Sequence, residues 1–352
     1  MSLQDLQESI RDAAHRGVAL RLRGGGTKDF YGNEPRGEIL DTRAHAGLVS
    51  YEPSELVITA RGGTPLCEIE KVLAEKGQCL PFEPPHFGQS ATLGGCVAAG
   101  LAGPRRVSAG AVRDFVLGAK ILDGRGRLLS FGGQVMKNVA GYDVSRLIAG
   151  SLGTLGLIAE ISLKVLPRAP SEVSLRLEYP QDRAIDMLNR WAGQPLPISA
   201  TAWHDGELHV RMSGAPTALR AAAEKIGGET VEASEADTFW MAVREHAHAF
   251  FAGTQPLWRI AVPPTTAPIE LPGAQMVEWG GGLRWLRSEG EPRTVREAAT
   301  RAGGHATRFR AADRSTGAFA VLAPAILRLH RELKAAFDPA GILNPGRLYP
   351  EL

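Results

Sequence analysis

The glycines of this chain constrain it more than any other feature. Of 41 glycines, 25 fall within residues 1–170, and there they gather in three blocks. The first, RGGGTK at 23–28, follows an alternating apolar segment directly. Glycine loses more backbone entropy on folding than any other residue. A run of three therefore marks a place where something comes very close to the main chain. Read alone, the run is either a flexible hairpin turn or a nest of successive amides that holds an anion.

The second block, residues 86–114, interleaves glycine and alanine with the hydroxyls of Ser90, Thr92 and Ser108. Such a segment packs little core of its own but can lie flat against a planar ligand. The third, AGSLGTLGLIAE, repeats glycine at Gly150, Gly153 and Gly156 and runs into a strand. Three such loops on one strand framework imply an extended, phosphate-bearing ligand. It is not bound in the usual ways. GxGxxG fails at Asp29 in one stretch and at Leu129 in another, and GxxxxGK[ST] is absent. The sequence fingerprints of a dinucleotide Rossmann unit and of a P-loop are thereby missing.

The rest of the chain is built differently. All six tryptophans, from Trp191 to Trp285, lie beyond residue 170. The change predicts a domain over 1–168, a second over 169–330 and a C-terminal segment over 331–352, with the first boundary at the prolines of LPRAPSE. In the first domain the pattern predicts a helix over 3–16 with Leu3, Leu6, Ile10 and Ala14 on one face. Strands follow at VALRLR and ELVITARG. A helix at TPLCEIEKVLAEKG would be capped by Thr64 and ended by Gly77. A hairpin turns at Asp123 and Gly124, and LIAEISLKVLP is the last strand.

In the second domain, EVSLRLEY through ETVE reads βαββαβ, the ferredoxin-like split unit. A long helix over 235–251, further strands, a helix near 292–302 and a last helix over 322–337 follow. The fold class is α+β, with an antiparallel sheet covered by helices. No repeat at a solenoid period is visible.

A net charge of +2 offers no basic field for nucleic acid. Cys67, Cys79 and Cys96 form no CxxC pair, which argues against a disulfide framework and for a reducing cytoplasm. The start carries acids and no apolar core of a signal peptide. No stretch is apolar enough to span a bilayer.

RGGGTK, then SATLGG with GAVRDFVLGAKILDGRG, then KNVAGYDVSRLIAGSLGTLGLIAEISLKV together resemble the vanillyl-alcohol-oxidase, or PCMH-type, FAD-binding family. FDPAGILNPGR at the end resembles the return segment of FAD-linked 2-hydroxyacid oxidases. Within that family the chain looks most like the FAD-binding subunits of bacterial glycolate oxidases. The resemblance covers 18–168 and the last 20 residues or so.

The resemblance implies a PCMH-type domain of two α/β subdomains plus a cap. FAD is expected to be held non-covalently. Arg23, Gly24, Gly25, Gly26, Thr27 and Lys28 would hold its pyrophosphate. Ser90, Thr92, Gly94 and Gly95 would line it, with Ser108, Ala109 and Gly110 beside them. Gly153, Thr154, Gly156, Ile158 and Asn344 would complete the site. His86 and Cys96 lie near the second loop, where some relatives carry a covalent link. The implied reaction is oxidation of glycolate, or D-lactate, to the 2-oxo acid. The implied partners are a larger FAD-linked subunit and an iron–sulfur subunit, in the cytoplasm or at the inner membrane through those partners.

The larger relatives carry an HGDGNLH-type metal motif, and this chain has none. In EHAHAF at 245–250, His246 and His248 would point about 200° apart on a helix, so they would not share a metal. They are expected to be surface or partly packed residues. Lys137 and Tyr142 are the catalytic candidates, the first to stabilise negative charge on reduced flavin and the second to donate to an oxygen. Three readings stay open: a subunit of a multi-subunit oxidase, a self-sufficient flavin oxidase, and a cofactor-binding subunit without turnover. Without cluster-type cysteine spacing, single electrons must leave through a partner.

Overall fold

In the computed structural model, which describes residues 2–133 and 143–352, the first helix is fixed at both ends. Helix α1 (Leu3–Arg16) starts in a capping box: Ser2 Oγ accepts from the Asp5 amide, and the Asp5 carboxylate accepts from the Ser2 amide. Gly17 ends it in the left-handed conformation. The helix buries Leu6, Ile10 and Ala13 against Leu20, Leu40, Leu122, Leu157 and Leu343. Leu6 and Ile10 contribute roughly 2–3 kcal/mol each by this burial. The expected Leu3 and Ala14 are only partly buried.

β1 (Leu20–Arg23) and β2 (Glu38–Asp41) pair in parallel. After them come β3 (Leu48–Glu52), β4 (Val57–Arg61), α2 (Leu66–Glu75), β5 (Gln78–Cys79), α3 (Leu93–Ala99), α4 (Arg106–Ala109), α5 (Val112–Phe115), β6 (Val116–Leu122), β7 (Leu128–Gly132), α6 (Val144–Leu147), β8 (Leu157–Lys164) and β9 (Leu166–Pro167). Five of these strands form an antiparallel sheet in the order β3-β4-β8-β6-β7. Ile58, Ile121 and Ile161 from the sheet pack on Leu66, Ile69 and Leu73 of α2 and Val97 of α3. Thr64 does not cap α2 as expected. Its Oγ1 bonds instead to the amide and carbonyl of Gly47, tying the loop before β3 to the helix entrance.

The second half continues with β10 (Ser171–Glu178), α7 (Gln181–Ala192), β11 (Ile198–His204), β12 (Glu207–Gly214), α8 (Pro216–Ile226) and β13 (Glu229–Val231). α9 (Ala233–Arg244), β14 (Leu257–Ala261), β15 (Ala274–Glu278), β16 (Leu283–Arg287), α10 (Pro292–Arg301) and β17 (His305–Arg310) follow. Eight strands form one sheet in the order β13-β10-β12-β11-β15-β16-β14-β17.

That order contains a repeat the sequence does not show. The ferredoxin-like unit β10–β13 fills one half. β14–β17 fills the other with the same pairing, second, third, first and fourth strand outward from the β11–β15 junction. Where the first unit has α7, the second has residues 262–273, with Pro263, Pro264, Pro268 and Pro272. Proline removes an amide donor and clashes with the preceding turn, so no helix forms there.

All six tryptophans are buried in this half, so none is a free anchor for a partner. α9 ends at Arg244, short of the expected 251, because His246 takes a left-handed φ of 54°. His248 then caps a short turn, its Nδ1 accepting from the Phe250 amide. Neither histidine is on the helix, so their separation is set by this break and not by helical spacing. α11 (Pro324–Phe337) brings the tail back to the first half. No helix among the described residues is long and apolar enough to cross a membrane.

Charged contacts lock the halves together. The Glu83 carboxylate accepts from Arg105 and Arg211, and Arg105 also reaches Glu172. The Glu245 carboxylate accepts from the amides of His86 and Phe87. Trp279 Nε1 donates to the Gly103 carbonyl.

Candidate functional site

The three glycine blocks meet in one groove. Its lining includes Arg23, Gly24, Gly25, Gly26, Thr27 and Lys28 from the first loop and Thr92, Gly94 and Gly95 from the second. Gly153, Gly156 and Ile158 come from the third, and Asn344 from the tail. The groove encloses about 850 Å³, counting its open mouth.

Close approach between loops explains the glycine run. A Cβ on Gly25 would lie 1.6 Å from the Ser90 carbonyl oxygen, and Gly26 takes a φ of +71°. The missing side chain at 25 thus lets the first loop sit on the second, and Ser90 Oγ donates back to the Gly25 carbonyl. Among the described residues, the amides of Gly24, Gly25, Gly26, Thr27 and Lys28 donate to no protein acceptor. Five successive free amides along a groove form an anion-binding concavity.

The charges around the groove have the same sense. Arg21, Arg23, Lys28 and Arg347 line it with one carboxylate, Asp29. Arg21 and Arg23 both pair with Asp29, leaving cationic charge in excess. Arg347 donates to the carbonyls of Lys28 and Asp29. Burial lowers its guanidinium to about 10, so it stays charged at neutral pH. Burial also lowers the Lys28 ammonium, whose Nζ donates to the His86 carbonyl. Free amides, excess positive charge and a glycine-built approach fit a pyrophosphate-bearing cofactor.

Asn344 and Lys334 set the position of the third loop. Asn344 Oδ1 accepts from the Leu22 amide, and its Nδ2 donates to the Leu152 carbonyl. Lys334 Nζ donates to the Thr154 and Leu343 carbonyls and to Asp338 Oδ2.

Other expected residues stand elsewhere. Ser90 braces the groove without lining it, and Thr154 lies behind it, its Oγ1 donating to the Ser151 carbonyl. Ser108, Ala109 and Gly110 do not line the groove. Ser108 Oγ donates to the Ser199 carbonyl of β11. Lys137 and Tyr142 lie outside the described residues. The groove also uses Leu22, Thr42, Ala98, Ala99 and Leu152, which sequence reasoning missed. Ala98 and Ala99 carried a signal, as small residues inside the second block. Leu22, Thr42 and Leu152 carried none.

Neither candidate for a covalent link lines the groove. Burial pushes the Cys96 thiol up to about 12, so it is no nucleophile at neutral pH. His86 Nε2 faces Glu70 at 3.1 Å.

Comparison with known proteins meets this geometry at both ends of the chain. The family described as FAD binding domain matches residues 1–132, and FAD linked oxidases, C-terminal domain, matches residues 321–348. Glycolate oxidase subunit GlcE of Escherichia coli (strain K12) is 49% identical over 349 residues, 99% of this chain and 98% of that protein. The chain belongs to the glycolate oxidase subunit GlcE family. FAD is its cofactor, and it is an oxidoreductase of the FAD-linked oxidase class. The likeness runs through residues 169–330, beyond the two stretches that carry the sequence resemblance.

Glycolate oxidase subunit GlcD of Bacillus subtilis is 30% identical over 164 residues, 46% of this chain and 35% of that protein. D-lactate dehydrogenase of Archaeoglobus fulgidus is 28% identical over 200 residues, 56% and 44% of the two chains. In fold, alkyldihydroxyacetonephosphate synthase superimposes with a TM-score of 0.67 at 14% identity, over 97% of this chain and 74% of that one.

Proposed function

We propose that this chain is the FAD-binding subunit of a multi-subunit enzyme that oxidises glycolate, and D-lactate, to the 2-oxo acid. The whole-length likeness to the E. coli subunit carries this reading. When bound, FAD supplies the two-electron acceptor for the hydrogen that leaves the carbinol carbon. The chain's own residues hold it: the free amides of 24–28 take the pyrophosphate, and Thr92, Gly94, Gly95, Gly153 and Gly156 let the cofactor lie against the main chain. The partners are a larger FAD-linked subunit and an iron–sulfur subunit, and the assembly works in the cytoplasm or at the inner face of the membrane. The FAD is non-covalent, in keeping with the positions of Cys96 and His86 outside the groove lining. We further read residues 1–168 with the 331–352 tail as the cofactor unit and 169–330 as the cap.

The test is assembly with and without this chain. Co-expression of all subunits is expected to give glycolate turnover with an artificial acceptor, and omission of this chain to abolish it. Acid precipitation is expected to release one flavin per chain. Undiminished turnover without the chain would reject its role in the reaction. Flavin retained in the precipitate would reject the non-covalent binding.

A further inference from the structure

Two segments of the first half run side by side in opposite directions at the groove. Residues 25–28 belong to the first glycine loop and 86–90 to the second block. Ser90 Oγ donates to the Gly25 carbonyl at 2.9 Å. A Cβ on Gly88 would stand 3.2 Å from Thr27 Cγ2. Lys28 Nζ donates to the His86 carbonyl at 3.2 Å. Segment 86–90 is thus a brace laid along the loop whose amides face the groove.

The anchor of that brace comes from the other half of the molecule. Glu245, the first residue past α9, reaches across to the amides of His86 and Phe87, and its Oε2 accepts from them at 3.0 and 2.8 Å. Its Oε1 accepts from Arg244 Nε at 2.9 Å, which orients the carboxylate. Hydrogen bonds to a charged acceptor are roughly twice as strong as neutral ones. The brace needs such an anchor. Phe87 takes a left-handed φ of 54°, a conformation that is costly for a bulky residue and persists only where its surroundings enforce it.

The Lys28 side chain belongs to the same joint. Among the described residues its ammonium has the His86 carbonyl as hydrogen-bond partner, and it lies over the Phe87 ring at 5.5 Å. Burial lowers this ammonium, and Glu245 is the carboxylate that works against the drop. Among the described residues, no member of 169–330 lines the groove itself. The second half therefore acts on the groove from behind, through the brace. Sequence reading weighed EHAHAF for its histidines, whereas its glutamate is the residue that reaches across.

We infer that Glu245 is a positioning residue for the cofactor: it anchors segment 86–90 from the second half, and that segment, tied by Lys28, sets the 24–28 loop in the shape that takes the pyrophosphate. The inference rests on the assignment of the pyrophosphate to the amides of 24–28. It makes FAD binding depend on the docking of the two halves. It also makes the Lys28 side chain a tie within the protein and leaves the pyrophosphate to the main chain.

The test is a double-mutant cycle on the whole chain, read as the FAD dissociation constant from flavin fluorescence. Glu245→Ala and Lys28→Met are each expected to weaken FAD about tenfold. The double variant is expected to bind no more weakly than the weaker single variant, because both substitutions cut one link. Glu245→Gln, whose carbonyl oxygen can still accept from both amides, is expected to recover part of the affinity. The circular dichroism of the folded chain is expected to stay unchanged throughout. Losses that multiply to about a hundredfold in the double variant would overturn the inference and assign the Lys28 ammonium to the pyrophosphate. Wild-type affinity in either single variant would overturn it as well. Should the alanine variant not fold, the same cycle is run with Glu245→Gln and judged by the same rule. A folded wild-type chain that takes up no FAD would instead overturn the functional reading beneath.

Discussion

The groove and a small aromatic cavity lined by Trp279, Trp285 and Phe309 share the chain segment around Ala99 and Leu101, yet they are made of different material. The groove is built by main chain. Its donors are the amides of residues 24–28, which meet no protein acceptor among the described residues, its shape depends on absent side chains, and most of its lining comes from three continuous glycine blocks. The cavity is built by side chains from distant segments: Phe87, Leu101, His246, Arg259, Glu278, Trp285 and Phe309. A site of the first kind tolerates almost no added atom. A site of the second kind tolerates change in proportion to the charge or hydrogen bond removed.

Gly25→Val is the harshest test of that difference. Its Cβ alone would fall 1.6 Å from the Ser90 carbonyl, and a β-branched side chain adds two more carbons. The first loop must lift off the second, which scatters the amides that meet the pyrophosphate. Loss of essentially all FAD is expected, with the circular dichroism of the folded chain retained. Wild-type flavin content in this variant would show that the loop contact does not shape the groove.

The same contrast explains what could be read from the sequence. Glycine spacing located the groove because backbone approach leaves a mark in each block separately. The unit over β10–β13 was legible from its strand and helix periods. Its partner was not, because Pro263, Pro264, Pro268 and Pro272 replace one helix and hide the repeat. The cavity was illegible for a related reason. Apolar residues continue past Arg244 through Ala247, Ala249, Phe250 and Phe251, which reads as more helix. The left-handed turn at His246 is imposed by packing against Phe251, Trp285 and Phe309. Nor does any local pattern bring Arg106 and Arg259 to one indole ring, that of Trp279.

Between the two sites in expected effect stands the joint that ties the tail to the groove. Lys334 is buried with Asp338, whose side chain has no exposed surface. The Asp338 carboxylate also accepts from the Ile342 and Leu343 amides. Lys334→Met keeps the volume of the stem but leaves a buried carboxylate without its cation, a change that costs about 3–5 kcal/mol. Denaturant midpoints are expected to fall accordingly. Adding Asp338→Asn is expected to recover part of the loss, because the lone buried charge is then gone. A single Lys334→Met with the wild-type midpoint would show that the pair is not what holds Thr154 and Leu343 in place.

The smallest effect belongs to the cavity and depends on pH. Glu278 is fully buried, and burial raises its carboxyl from 4.5 to about 7. Trp285 Nε1, donating to Oε1 at 2.6 Å, and the nearby Arg259 pull the other way, while Glu83 adds to the rise. Between pH 4.5 and 7 the folded chain therefore binds more protons at this group than the unfolded chain does. Stability falls as pH rises through that window, and above it the full penalty is present, on the order of 3 kcal/mol. Glu278→Gln keeps an oxygen for Trp285 but has no proton to lose. The variant is expected to match wild type near pH 4.5 and to exceed its stability by about 3 kcal/mol at pH 8.5. Denaturant titrations at the two pH values measure the difference. A gap of the same size at both would mean that the substitution acts through packing and that Glu278 does not change charge in the folded chain.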